Sequence, residues 1–282
     1  MNGVWRLNQT GALWTIRAKC VTPGYKDKPM FNWRRERDLF LAALAFLTRI
    51  PIPATTPLAE ENLNAASRYF PAIGLLVGLI GAAIYLAANT LWTPALALAL
   101  SMAATIRLTG AFHEDGFADC CDGFGGGWAR AQVLTIMKDS RLGTYGAVGL
   151  GLMLGIKFLA LQSIAQPTTI VIALLVGHTW SRLLAVSYLR DLHYVRDIDS
   201  SKVKPLATQM SRNDLLIAAI VALPLALLIA PLQCLALVLT LTLWRWWFGR
   251  YLLRRLGGYT GDCLGAAQQV AEVFIYLVLA AS

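Results

Sequence analysis

Leu215–Trp244 reads LLIAAIVALPLALLIAPLQCLALVLTLTLW, thirty residues without a single charge. One helix of that length, at about 1.5 Å per residue, overshoots a bilayer core of roughly 30 Å. It is better read as two short spans folded back near Pro231. A second run, Tyr69–Asn89, is uncharged over 21 residues. The 282-residue chain as a whole is 57% hydrophobic and 15% charged, where soluble domains carry about 25% charged residues. Mean hydropathy is +0.55. A soluble globular protein is excluded, and an all-α integral membrane protein is expected.

Seven transmembrane helices are expected, roughly over 69–89, 92–112, 146–166, 168–189, 214–230, 232–248 and 264–281. Three connections, near 90–93, 166–168 and 230–232, hold no Lys or Arg. The others carry Arg130, Lys138 and Arg141; Arg190, Arg196, Lys202, Lys204 and Arg212; then Arg250, Arg254 and Arg255. With the basic N-terminal region inside, every basic loop also falls inside, as the positive-inside rule requires. The net charge of +9 is thus read first as topology. The stretch 39–50, LFLAALAFLTRI, is too short to span and ends in Pro51-Ile52-Pro53; it reads as a half-inserted or interfacial helix. Residues 1–37 are expected to be a basic, poorly ordered extension without the apolar core of a signal peptide, and 38–282 a single polytopic catalytic domain.

The segment Gly110–Gly127, GAFHEDGFADCCDGFGGG, carries the densest chemistry. Asp115, Asp119 and Asp122 fall at i, i+4 and i+7, within an arc of about 60° on a helix. Carboxylates that close call for a hard cation such as magnesium, which keeps waters and substrate phosphates in its shell. Glu114 points off that arc and reads as solvated, while His113 stays open between packing and catalysis. A second inside loop holds Lys138, Asp139, Ser140 and Arg141. Arg141 can grip a phosphate bidentately, Lys138 can act as a point charge, and Ser140 offers a hydroxyl. Asp139 beside two cations is a permanent anion. The third loop, Gly257–Ala266, opens the last span; Thr260 and Asp262 serve there either as an anion or metal site or as ordinary helix caps.

Arg107, Lys157, Arg182 and Glu272 lie within spans, where charge is costly. Arg107 can snorkel, whereas Lys157 and Glu272 sit deeper and are expected to pair or to line a polar cavity. The five cysteines show no C-x-x-C spacing, so zinc is unsupported and a reducing compartment fits. Cys120-Cys121 reads as small apolar filler.

Several of these stretches together resemble the cobalamin synthase family. They are Phe46-Leu47-Thr48-Arg49-Ile50-Pro51-Ile52-Pro53, Ser67-Arg68 with Phe70-Pro71 and Gly74, Phe112-His113 with Asp115-Gly116, Ala118-Asp119 and Asp122-Gly123, Met137 with Asp139–Gly143, and Gly257-Gly258 with Thr260–Asp262 and Leu264–Ala266. Glu114 stands where the family pattern suggests an apolar residue. The resemblance implies an adenosylcobinamide-GDP ribazoletransferase of the bacterial inner membrane, a phosphotransferase of late coenzyme B12 assembly. In that reaction α-ribazole or its 5′-phosphate attacks adenosylcobinamide-GDP, GMP leaves, and adenosylcobalamin or its 5′-phosphate forms with Mg2+ present. We accordingly assign Asp115, Asp119, Asp122 and Asp262 to metal, Lys138, Ser140, Arg141 and Thr260 to substrate binding, and Asp139 and His113 to catalysis. The active-site loops are expected to face the cytoplasm, and an oligomer or a complex with other cobalamin-assembly enzymes is allowed; nucleic acid is not an expected partner. Two readings compete. A CDP-alcohol phosphotransferase shares the aspartate rhythm, but its signature needs a further aspartate pair missing after Asp122. An ion-coupled transporter would use Lys157 and Glu272.

Overall fold

The computed structural model describes residues 32–56, 60–195 and 208–281. Most of the N-terminal extension and the basic residues Arg196, Lys202 and Lys204 lie outside the described residues. The chain divides into two units, Met1–Arg34 and Arg35–Ser282.

The described residues form eleven α-helices. α1 (Trp33–Leu47) is followed by α2 (Glu60–Ala66), a 3₁₀ turn at Ser67–Tyr69, α3 (Phe70–Asn89), α4 (Pro94–Thr109), α5 (Phe112–Gly126) and α6 (Arg130–Ile136). Then come α7 (Thr144–Gln162), α8 (Pro167–Asp191), α9 (Arg212–Ala222), a 3₁₀ stretch at Leu223–Leu228, α10 (Pro231–Leu256) and α11 (Gly261–Ala280). The described residues contain no strand; Tyr194 and Tyr259 make one isolated parallel bridge. The 15 residues of α1 amount to about 22 Å, short of a bilayer core, as expected for 39–50.

Among the described residues five helical stretches are long and apolar enough to cross a membrane: Asn64–Asn89, α7, α8, α10 and α11. A sixth is obtained only by joining α4 to α5 across an 87° bend. The all-α membrane architecture is as expected, but two of the seven spans differ. The one over 92–112 ends early because Gly110 and Ala111 both turn left-handed, at φ 70° and 60°. Glycine adopts that conformation freely, while Ala111 gives up about 1–2 kcal/mol. The turn is held by Ala111 N–H on the Ile106 carbonyl at 2.9 Å and by Arg49 N–H on the Leu108 carbonyl at 2.8 Å. A Cβ on Gly110 would meet the Arg49 Nε at 2.4 Å. The span over 214–230 stops being α-helical at Ala222, because Pro224 has no N–H to continue the ladder. The Trp180 indole N–H takes up the Ala222 carbonyl at 2.8 Å.

α8 and α11 are interior helices, with 72% and 67% of their apolar windows buried, whereas α7 and α10 are 28% and 17% buried and face outward. α8 packs on α3 and α11, and α11 also meets α5, α7 and α10. Small residues permit the close approach: a Cβ on Gly74 of α3 would lie 2.2 Å from the His178 carbonyl oxygen of α8.

Candidate active site

α5 begins where the chain has just turned, and its first turn is divided, with Phe112 and Asp115 exposed and His113 and Glu114 buried. It is one unbroken helix, and Asp115, Asp119 and Asp122 therefore share a face as their spacing requires. Their depths differ. Asp115 is exposed, Asp119 half-buried and Asp122 buried. The two Asp122 oxygens accept from the Gly143 and Gly146 backbone N–H groups, both at 2.8 Å. These donors belong to the N-terminal turn of α7, whose amides lack partners within the helix. A Cβ on Gly146 would sit 2.3 Å from an Asp122 oxygen, so this grip depends on glycine.

At the other end of α5, Gly116 lets the last helix approach: a Cβ there would lie 2.9 Å from the Asp262 Cα. Asp262 is thereby brought beside the turn that carries Asp115 and Asp119. Thr260 is fully buried and its hydroxyl accepts from the Cys263 N–H at 3.4 Å, so its role in the fold is the N-cap of α11. The same loop is pinned to the end of α8 by Tyr259 N–H on the His193 carbonyl at 2.9 Å and Val195 N–H on the Tyr259 carbonyl at 3.0 Å.

The 138–141 segment joins the site through Gly143 and Gly146, at the Asp122 end. Lys138, Ser140 and Arg141 are exposed. Asp139 accepts from the Arg141 backbone N–H at 3.1 Å and from its Nε at 3.0 Å. The Arg141 side-chain and backbone donors hold the Asp139 carboxyl down to about 2, so it is an anion at every ordinary pH.

Among the described residues no group of three or more His, Cys, Asp or Glu side chains converges on one point that could hold an ion. The aspartates share a helix face without forming a ready-made coordination sphere. Their chemistry still fits magnesium, which needs only one or two carboxylates when waters and substrate phosphates complete its shell. Asp115 and Asp119 lie on the turn of α5 that Asp262 approaches, while both Asp122 oxygens already accept from backbone amides.

Behind this face lies a buried polar network. Glu272, 1% exposed, receives Lys157 Nζ at 3.1 Å, the Tyr276 hydroxyl at 2.9 Å and Gln268 Nε2 at 2.6 Å. The expected Lys157–Glu272 pairing is therefore present. Lys157 also donates to Gln269 Oε1 at 2.6 Å, and Gln269 Nε2 donates to Glu114 at 3.0 Å. Glu114 corrects its expectation: it is buried, not solvated, because Gln269 of α11 supplies a partner inside. A cavity of about 20 Å³ lies among these groups, enough for one water. His113 is buried beside it. Gln268, Gln269, Glu272 and Tyr276 recurring on one apolar helix were the available signal for this network, together with His178 and Arg182 one turn apart on α8. The buried state of Cys120 suits its reading as filler.

The family model for cobalamin-5-phosphate synthase (CobS) matches residues 39–280. The chain is 46% identical over 252 residues to the adenosylcobinamide-GDP ribazoletransferase of Shewanella frigidimarina, covering 89% of this chain and 97% of that protein. Against the protein of the same name from Vibrio cholerae identity is 46% over 249 residues, 88% of this chain and 95% of the relative. For Vibrio vulnificus it is 44% over 252 residues, with 89% and 99% covered. No solved structure matches.

Proposed function

The chain belongs to the cobalamin-5-phosphate synthase family, and on that premise we propose that it is an adenosylcobinamide-GDP ribazoletransferase completing coenzyme B12 in the membrane. The 3′-hydroxyl oxygen of α-ribazole, or of its 5′-phosphate, bonds to the phosphorus on the aminopropanol arm of adenosylcobinamide-GDP. The bond from that phosphorus to the GMP oxygen breaks, GMP leaves, and the hydroxyl proton is lost.

Phosphoryl transfer asks a protein mainly for positioning and for neutralisation of charge. Asp115, Asp119 and Asp262 would hold magnesium, which when bound supplies the positive charge that the diphosphate and the departing GMP require. Lys138 and Arg141 bind the phosphates from the Asp122 end of the same helix. Asp139, kept ionised by Arg141, is a weak base and suits orienting the attacking hydroxyl. Asp122 braces α5 against α7, which keeps the two ends of the site in register. The positive-inside distribution of Lys and Arg supports loops facing the cytoplasm of a bacterial inner membrane.

The observation that carries this reading is the Asp262 backbone packed against Gly116, which lies between Asp115 and Asp119 in sequence. Detergent-purified protein given adenosylcobinamide-GDP, α-ribazole and magnesium should release GMP and form the complete corrinoid. Near-normal turnover by Asp119→Asn would remove that residue from the metal site.

A further inference from the structure

A second cavity, of about 60 Å³, lies between α1, α3, α5, α8 and α11. That is several times the ~10–15 Å³ one water needs. Its walls are largely apolar, with Phe46, Phe70, Phe112 and Leu264 among them. Phe46 stacks on Phe70 with ring centroids 5.8 Å apart and meets Phe112 edge-on at 5.0 Å. Two ionisable side chains line it, His113 and Arg182. Arg182 is 2% exposed. One terminal nitrogen donates to the His178 carbonyl at 2.8 Å, but its Nε has no partner. A guanidinium N–H buried without an acceptor is unfavourable, and a ligand bringing one would remove the penalty. The cavity also adjoins the proposed metal site, since Gly261 and Gly265 line it on either side of Asp262 in sequence.

We infer that this cavity seats the base of the ribazole nucleoside and so selects among ribazoles by the size and polarity of that base; the inference rests on the ribazoletransferase reading. An azole fused to a benzene ring is flat and apolar apart from one ring-nitrogen acceptor. Its faces suit phenylalanine walls, and its acceptor suits Arg182. Guanine, the other base in the reaction, carries two donor groups that these walls would leave unpaired. A lipid chain would leave the Arg182 Nε unanswered.

Gly261 allows a test that spares the packing, because a Cβ there meets no protein atom within 4 Å. Steady-state GMP release by the detergent-purified full chain is measured against each substrate in turn. Gly261→Leu adds a side chain at the exposed edge of the cavity and should raise KM for α-ribazole about tenfold or more. KM for adenosylcobinamide-GDP and the magnesium dependence should stay within about twofold, since a fold or metal defect would move those too. Phe112→Ala, at a partly exposed position, should shrink the preference for α-ribazole over a ribosylpurine by about tenfold. Equal rises in both KM values, a rise for the corrinoid substrate alone, or an unmoved nucleoside KM in both variants would overturn the assignment. A wild-type protein that releases no GMP at all would overturn the ribazoletransferase reading beneath it.

Discussion

The two sides of α5 carry the same kind of residue under opposite conditions. On one side Asp115 is exposed and Asp119 half-buried, near Asp262. On the other, Glu114, the neighbour of Asp115 in sequence, is buried and tied through Gln269 and Lys157 to Glu272. Glu114 is shut away from water inside the bundle, whereas Asp115 and Asp119 stand where water and a cation can reach them. Asp122 lies between these cases, on the acidic face yet held by two backbone amides.

The largest expected effect is on the inner side. Lys157→Met strands the Glu272 carboxylate and should cost about 3–5 kcal/mol, read as a fall in thermal unfolding temperature in detergent. Lys157→Glu combined with Glu272→Lys should recover part of it, and only part, because Tyr276 and Gln268 also donate to Glu272. No recovery would mean the pair is not coupled. On the outer side Asp119→Asn should move the unfolding temperature far less than Lys157→Met does and lower GMP release about 10²–10³-fold, the usual loss on removing one electrostatic contact to a transition state. An equally large stability change there would erase the contrast between the sides. Gly146→Ala should cost less, about 1–3 kcal/mol, by pushing the Asp122 carboxylate off the α7 amides; an unaltered unfolding temperature would show that the brace is dispensable. The smallest effect concerns pH. The Asp139 carboxyl is depressed to about 2 from an ordinary 3.8, so its contribution is present above the ordinary value and lost only as pH falls towards 2. Between about pH 5 and 9 Asp139→Asn should therefore change the rate by a constant factor. A bend in the wild-type profile that disappears in the variant would contradict this.

Much of the outer side was legible in the sequence, because spacing on one helix is a local property and α5 is a continuous helix. The long uncharged runs likewise announced the spans, and mid-span charge announced Lys157 with Glu272. The inner side depended on distant partners. Glu114 reads as solvated until Gln269 of α11 is placed against it. The 87° turn was hidden because Ala111 gives no sign of a left-handed conformation, which is imposed by contacts such as that of Arg49 with the Leu108 carbonyl. The break at Ala222 had a local cause in Pro224, but the uncharged run around it reads equally well as a straight span.

The central claim is that the outward carboxylates of α5, with Asp262, take up the divalent ion used in phosphoryl transfer. Electron paramagnetic resonance of Mn2+ added with adenosylcobinamide-GDP to wild-type protein, Asp119→Asn and Glu114→Gln tests it most directly. The account predicts a bound-manganese signal that is lost in Asp119→Asn and kept in whatever fraction of Glu114→Gln remains folded. Binding by Asp119→Asn equal to that of the wild type would contradict it.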